Sequence, residues 1–196
     1  MITDLTKPQC FDNFVSLEAC AVMLRELRFA FWQRSRVTGR DADGAVRSHF
    51  SRNRRSETAM QEWFSQAMNA QVAVVEQRLE CEFAIVPNRL EQWQATRYRP
   101  HDTFDRHLDA GLPDAKIAGE RELTFLIYLS APDEGGSTYF HTFDLEFAPA
   151  PGRLVVWLNL LDDRTPNPMM LHSGRPVIRG TKTILTTWSH QQPVTR

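Results

Sequence analysis

The spacing of apolar residues in the first half of the chain predicts helices. In residues 16–32, SLEACAVMLRELRFAFW, apolar side chains recur about every 3.6 residues, and Ser16 followed by Glu18 is typical of a capped helix start. Residues 56–79, SETAMQEWFSQAMNAQVAVVEQRL, carry a second apolar stripe, with Ser56 as the expected cap. We therefore expect residues 1–94 to provide mainly helical support and a substrate loop.

That loop is predicted between the two helices. Residues 39–55, GRDADGAVRSHFSRNRR, are polar and punctuated by glycine, with a cationic cluster of Arg47, Arg52, Arg54 and Arg55. A solvated, mobile loop is the favoured interpretation, and binding of an anionic partner is the alternative. Whether the loop closes over a substrate is left open.

From about Ala95 the pattern changes to strands. Five segments are short, rich in β-branched and aromatic residues, and separated by Gly, Pro and Asp: WQATRYRP, ELTFLIYL, STYFHTFDLEFA, RLVVWLNL and GTKTILTTWSH. Strands without intervening helices predict an antiparallel sandwich or barrel over residues 95–196. The expected fold class is α+β, mainly β, in a single domain spanning residues 1–196.

Composition narrows the class of partner. The 196 residues are 42% apolar and 24% charged, with a formal net charge of −1, so neither nucleic acid nor a membrane surface is the expected partner. The start, MITDLTKPQC, lacks a basic flank before a long apolar core, and no run of about 18 apolar residues occurs, which favours a cytoplasmic location. Three widely spaced cysteines without a C-x-x-C motif indicate reduced thiols. The oligomeric state stays open.

The stretch DRHLDA, residues 105–110, could hold a metal ion. His107 and Asp109 are two residues apart and would leave a strand on the same side. Such a pair is common by chance, but two histidines and one carboxylate form the facial triad of non-haem Fe(II) enzymes. The second histidine could be His101, His141, His172, His190 or His49. His172 is favoured because MMLHSGRPVIRG leads through a turn into the last predicted strand.

That last strand carries a lysine on its predicted inner face. In TKTILTTWSH, alternation places Lys182, Ile184, Thr186, Trp188 and His190 on one side, and Ile with Trp mark that side as the interior. Burying a lysine is costly unless it meets an anion, although Lys182 could also reach out past the strand end. A metal triad beside a carboxylate-binding lysine is what a 2-oxoglutarate site needs.

Five segments in this order resemble the prolyl 4-hydroxylase branch of the Fe(II)/2-oxoglutarate-dependent dioxygenases, over roughly Tyr98 to His190. They are YRPHDTFDRHLD, RELTFLIYLS, EGGSTYF, PGRLVVW and LHSGRPVIRGTKTILTTWSH. The resemblance implies a double-stranded β-helix, that is a jelly-roll or cupin-like barrel, packed by the N-terminal helices. One departure is His101, which stands where the family usually has glycine; upstream, RRSE (residues 54–57) looks like the family's Arg-x-Ser stretch.

The resemblance also implies roles for individual residues. His107, Asp109 and His172 match the iron ligands on which catalysis depends, and Lys182 matches the cation that pairs with the distal carboxylate of 2-oxoglutarate. Around that carboxylate the matching positions are Tyr128, Tyr98 and Thr186, and near the substrate mouth they are Arg121, Trp188 and His190. Purely structural alternatives remain: Tyr128 as a core aromatic, Trp188 as a packing residue and His190 as a surface residue. His141 matches no ligand position and is interpreted as structural.

The function implied is an Fe(II)- and 2-oxoglutarate-dependent dioxygenase that uses O2, with ascorbate as a further candidate cofactor. Its expected reaction is hydroxylation of an unactivated C–H bond, in a prolyl or other amino-acid residue of a peptide or protein. A free amino acid or a small-molecule natural-product precursor is the alternative substrate. A nucleic-acid demethylase is disfavoured by the near-neutral charge, and a non-catalytic metal- or ligand-binding β-barrel module by the filled ligand positions. Zinc could occupy the site in vitro.

Overall fold

Residues 5–40, 46–111 and 118–194 are described by this computed structural model. Their helices are α1 (Leu17–Glu26) and α2 (Gln66–Phe83), with short 3-10 turns at Gln61–Trp63, Pro87–Arg89 and Pro168–Met170. Their strands are β1 (Gln9–Phe11), β2 (Gln33–Arg34), β3 (Val37–Arg40), β4 (Val46–His49), β5 (Arg54–Arg55), β6 (Glu57–Met60), β7 (Gln94–Tyr98), β8 (Thr103–His107), β9 (Arg121–Ser130), β10 (Glu134–Gly135), β11 (Thr138–Phe140), β12 (Leu145–Phe147), β13 (Leu154–Leu158), β14 (His172–Gly174), β15 (Val177–Arg179) and β16 (Lys182–His190).

Two antiparallel sheets carry the fold. The larger sheet has seven strands in the order β1-β13-β9-β16-β7-β6-β2, and the smaller has five in the order β12-β11-β14-β8-β5. Side chains from both sheets share one apolar cluster, in which Phe140 and Phe147 of the smaller sheet join Leu126, Tyr128 and Trp157 of the larger. This arrangement confirms the predicted antiparallel fold, a double-stranded β-helix.

Strict alternation along β9 divides its side chains between two cores. Phe125 and Ile127 face the cluster formed with the helices, whereas Leu126 and Tyr128 face the space between the sheets. The helices therefore cover the outer face of the larger sheet, where the ring centroids of Phe83 and Phe125 lie 5.3 Å apart. Each buried apolar side chain of this size contributes about 1.5–3 kcal/mol, so the helices hold the sheet firmly from behind.

The helix predictions are confirmed in part. Ser16 caps α1 as expected, since its hydroxyl accepts a hydrogen bond from the Ala19 amide at 3.1 Å. The predicted start of the second helix at Ser56 is wrong, because α2 begins at Gln66 and its cap is Ser65. Residues Glu57–Met60 instead form β6, whose backbone pairs with β7. Pairing with a neighbouring strand outweighs the local helical pattern there.

The prediction that residues 1–94 are mainly helical support is also wrong in part, because this half adds strands to both sheets. β1 pairs with β13, β6 with β7, and β5 with β8. The predicted loop 39–55 contains the end of β3 and all of β4 and β5, and its residues 41–45 lie outside the described part of the chain. Strands of two to four residues are too short to give a clear alternation signal.

Two further observations concern the chain as a whole. Cys10, Cys20 and Cys81 are all free thiols, as predicted. Within the described ranges, no helix is long and apolar enough to cross a bilayer.

Candidate metal centre

Two adjacent strands bring together the three predicted metal ligands. His107 ends β8, His172 begins β14, and the two residues are direct partners in the register of these strands. Asp109 follows two residues after His107. One ligand atom from each of the three residues lies within 4.8 Å of the others, which is the separation expected around a single bound ion.

The hydrogen bonds of both histidines fix which ring nitrogen is free. Nδ1 of His107 lies 2.8 Å from the Asp105 carbonyl, and Nδ1 of His172 lies 2.9 Å from the Met170 carbonyl. A carbonyl can only accept, so Nδ1 donates in both rings and Nε2 keeps its lone pair. Nε2 of His107 lies 3.6 Å from Oδ1 of Asp109, and Nε2 of His172 lies 3.9 Å from Oδ2 of the same carboxylate. Both histidines thus direct an Nε2 atom that can bind a metal towards the Asp109 carboxylate.

The charge states also suit a divalent cation. Burial, with the neighbouring His172, lowers the pKa of His107 to about 3, so its imidazole is neutral. Burial alone would raise the pKa of Asp109, but His172, His107 and Arg121 together hold it below its usual value. Histidine binds a metal as the neutral imidazole, so these two histidines and one carboxylate would form a donor set with net charge −1.

A chain of hydrogen bonds orients Asp109 from behind. The Thr124 hydroxyl donates to Oδ2 of Asp109 at 2.7 Å, and the Asn159 amide donates to the Thr124 oxygen at 2.8 Å. Both Thr124 and Asn159 are buried in the larger sheet or at its edge. The carboxylate is therefore held in one rotamer relative to the two histidines.

Aromatic rings pack both imidazoles. The Phe104 ring stacks on His107 with centroids 3.6 Å apart and an interplanar angle of 18°. Around His172, the Phe140 ring of the same sheet lies 5.2 Å away and the Trp157 ring of the opposite sheet 4.8 Å away, measured between centroids. These contacts limit rotation of the ligand side chains.

Lys182 is buried in the cavity that also contains the three ligands. Only 2% of its surface is exposed, and its Nζ donates to the Gly136 carbonyl at 2.7 Å and lies 4.3 Å from the centroid of the Tyr98 ring. No carboxylate of the described residues pairs with it, and burial lowers its pKa to about 7. The inward position predicted from alternation is therefore observed, and the amine lacks an anionic partner.

The other residues predicted around that amine are also buried. Tyr98 and Thr186 line the same cavity, and Thr186 Oγ1 has no hydrogen-bond partner. Tyr128 lies in the core behind them, where its hydroxyl is 2.7 Å from the Thr138 hydroxyl and donates to the Phe147 carbonyl at 3.1 Å. Burial raises the pKa of both tyrosines, so both are neutral phenols. A buried cation and an unpaired hydroxyl beside a metal site fit the distal carboxylate of 2-oxoglutarate.

Two of the three predicted mouth residues line the outer opening. Arg121 and Trp188 border a groove of about 460 Å³ that is also lined by His107 and Asp109, and the Arg121 guanidinium stacks over the Trp188 ring at 3.7 Å. Trp188 Nε1 has no hydrogen-bond partner. The groove gives a substrate access to the metal site.

His190 is placed differently from the other two. It is not among the described residues that line either cavity, and its ring is held instead by Glu91 and the Gly119 carbonyl. Its Nδ1 donates to the Gly119 carbonyl at 2.8 Å and its Nε2 to Glu91 at 2.7 Å, so the ring is a buried imidazolium rather than a surface residue. Burial opposes that charge, but the Glu91 hydrogen bond keeps the pKa of His190 above its ordinary value.

Glu91 joins His190 to the mouth of the groove. It accepts two hydrogen bonds from Arg121, at 2.5 and 2.7 Å, as well as the one from His190. Burial raises its pKa, yet His190 and Arg121 lower it below the usual value overall. Arg121 is thus held over Trp188 by a charged network.

Sequence reasoning missed four residues of this site: Glu91, Phe104, Thr124 and Asn159. None belongs to a motif with metal-ligand or nucleophile spacing. Phe104 lies three residues before His107, inside the segment YRPHDTFDRHLD that carries the resemblance. The other three become visible only through contacts between distant segments.

Comparisons with known proteins agree with this geometry. Residues 93–190 match the family model described as the 2OG-Fe(II) oxygenase superfamily. A relative from Acanthamoeba polyphaga mimivirus, named "Putative prolyl 4-hydroxylase", is 27% identical over 95% of this chain and 75% of the relative's length. A second relative, "Probable prolyl 4-hydroxylase 3" from Arabidopsis thaliana, is 26% identical over 92% of this chain and 68% of the relative's length. The crystal structure of the viral collagen prolyl hydroxylase of Paramecium Bursaria Chlorella virus-1, with 2OG, superposes with a TM-score of 0.67 at 22% identity, over 93% of this chain and 95% of that one.

Proposed function

We propose that this chain, which belongs to the 2OG-Fe(II) oxygenase superfamily, hydroxylates prolyl residues in peptides or proteins. Enzymes of this superfamily use Fe(II), 2-oxoglutarate and O2. The observation that carries the proposal is the cavity shared by the His107, Asp109 and His172 cluster and the buried, unpaired Lys182. When bound together, iron, 2-oxoglutarate and oxygen supply an oxidant able to hydroxylate an unactivated C–H bond.

In this proposal His107 Nε2, His172 Nε2 and one oxygen of Asp109 would hold the iron. Three protein ligands would leave room at the ion for the cosubstrate and oxygen. Thr124 fixes the Asp109 carboxylate by hydrogen bonding, and Phe104 keeps the His107 ring in plane by stacking. The chain's part in the reaction is to keep this open face oriented and to exclude bulk water.

Lys182 and Thr186 receive the distal carboxylate of 2-oxoglutarate, with Tyr98 and Tyr128 shaping the pocket. The ammonium group of Lys182 and the free hydroxyl of Thr186 can both donate to a carboxylate. Arg121 and Trp188 lie at the other opening, where the substrate enters. His190 is a positioning residue: it hydrogen-bonds Glu91, which in turn holds Arg121.

A peptide substrate is supported by the shape of the entrance. The groove of about 460 Å³ is open and falls in the range that holds a drug-sized ligand, larger than one amino acid. The relatives named as prolyl 4-hydroxylases support a prolyl target. We also include ascorbate as a supporting reductant and a cytoplasmic location in the proposal.

The test offers the Fe(II)-loaded protein a pool of prolyl peptides and, separately, free amino acids, with 2-oxoglutarate in air. Tandem mass spectrometry should find one added oxygen on proline within a peptide, and none when 2-oxoglutarate is omitted. Oxidation of a free amino acid without oxidation of any peptide would overturn the prolyl-peptide assignment and support a small-molecule hydroxylase instead.

A further inference from the structure

The entrance groove is strongly cationic although the chain as a whole is not. Among the described residues, five arginines line it against two carboxylates: Arg34, Arg36, Arg54, Arg106 and Arg121, with Asp105 and Asp109. The formal net charge of the whole chain is only −1. The positive charge is therefore concentrated at the place where a substrate would lie.

Four of these arginines have no carboxylate partner among the described residues. Glu91 neutralises Arg121 through two hydrogen bonds, and Asp109 belongs to the metal ligands. Between residues that the structure describes, no ion pair involves Arg34, Arg36, Arg54 or Arg106. Asp105 is exposed and is the single remaining negative charge among the described lining residues.

Neutral groups hold three of the guanidinium groups in place. Arg36 donates to the Ser48 carbonyl at 3.1 Å, and Arg54 donates to the Arg36 carbonyl at 3.2 Å. Arg34 and Arg36 lie over the Phe50 ring, 5.1 and 4.7 Å from its centroid. A guanidinium has five N–H donors, so each retains several for an anion. These side chains are positioned without being neutralised, which lowers the entropic cost of binding a carboxylate.

One of them is connected to the metal site through stacked rings. The Arg54 guanidinium lies 4.7 Å from the centroid of Phe104, which stacks on the metal ligand His107. The unpaired charge therefore begins beside the reacting centre and continues along the groove to Arg36 and Arg34.

We propose that this groove selects prolyl peptides with Asp or Glu residues close to the target proline, an inference that rests on the proposed prolyl hydroxylase function. Carboxylates of such a peptide would pair with Arg34, Arg36 and Arg54, and the concentrated charge would accelerate encounter. A neutral peptide leaves the arginines hydrated, and a basic one is repelled.

The test uses three matched peptides with one central proline, flanked by Glu, by its isostere Gln, or by Lys. The expected kcat/KM for the Glu peptide exceeds that of the Gln peptide by roughly tenfold at low ionic strength and falls towards it as salt is added. The Lys peptide should be poorest. Equal kcat/KM for the Glu and Gln peptides would overturn the acidic preference while leaving prolyl hydroxylation intact.

Binding measurements keep the inference testable if no peptide is hydroxylated. With Mn(II) and 2-oxoglutarate bound, fluorescence anisotropy should give tighter binding of the Glu peptide than of the Gln peptide. The double variant Arg34→Gln/Arg36→Gln should lose most of this difference, whereas Arg28→Gln, an exposed arginine outside the groove, should keep it. Tighter binding of a single-stranded oligothymidylate than of the Glu peptide would overturn the assignment in favour of a nucleic acid.

Discussion

His107 and His172 are opposed partners in the pairing of β8 with β14, although 64 residues separate them along the chain. Their free Nε2 atoms lie 3.6 and 3.9 Å from the carboxylate of Asp109. The ligand set is thus built into the register of a sheet, so its geometry is as rigid as the backbone hydrogen bonds around it.

Removing a ligand should abolish metal binding. His107→Ala leaves two donors. Because replacing even a residue that only hydrogen-bonds a ligand lowers metal affinity about 10–100-fold, we expect this variant to lose Fe(II) affinity by more than about a hundredfold. Anaerobic metal titration measures this. His141→Ala is the matched control, because His141 contacts Ser173 and not the metal cluster; comparable loss in both variants would contradict the ligand assignment.

Thr124 should matter through its hydrogen bond alone. Thr124→Val keeps the shape of the side chain but leaves Asp109 Oδ2 without its donor and Asn159 without its acceptor. We expect metal affinity to fall roughly 10–100-fold. Thr124→Ser restores the hydroxyl and should recover most of it; a Ser variant as weak as the Val variant would show that packing is the cause.

Lys182 should cost stability in the absence of 2-oxoglutarate. Its pKa is about 7 in the folded chain against an ordinary 10.5, so folding releases a proton between these values and stability rises with pH across this window. The penalty, on the order of 5 kcal/mol, is fully present below pH 7. Lys182→Met should therefore raise the free energy of unfolding at pH 6, and raise it by a smaller amount near pH 10. At both pH values the lost hydrogen bond to Gly136 reduces the gain by about 1 kcal/mol.

The same variant should lose the response to 2-oxoglutarate. Wild-type protein with metal should gain thermal stability when 2-oxoglutarate is added, and Lys182→Met should gain little. A Lys182→Met protein with unchanged cosubstrate affinity would contradict the carboxylate-anchor role.

His190 should stabilise the fold in a pH-dependent way. Its pKa is raised in the folded state by Glu91, so the stabilisation is fully present below the ordinary value of 6.5 and is lost as pH rises through the folded value. Urea unfolding of wild type and His190→Gln should therefore differ more at pH 6 than at pH 9. A difference that grows with pH would mean that the ring is neutral.

Sequence patterns predicted the long strands and the inward lysine because β9 and β16 are long enough to show alternation. They failed at Glu57–Met60, where pairing with β7 decides the structure. They also did not reveal that Glu91 and the Gly119 carbonyl hold the His190 ring. Glu91, Thr124 and Asn159 carry no local signal, because their roles arise from contacts between residues far apart in the chain.

Consumption of 2-oxoglutarate in this cavity should be coupled to hydroxylation of a prolyl peptide. The most direct measurement quantifies succinate and hydroxylated peptide in the same reaction, with Fe(II)-loaded protein and a pool of prolyl peptides in air. We expect the two products in equal amounts, and neither with Asp109→Ala. Hydroxylated peptide without succinate, or no product of either kind from the wild-type protein, would contradict a 2-oxoglutarate-dependent prolyl hydroxylase.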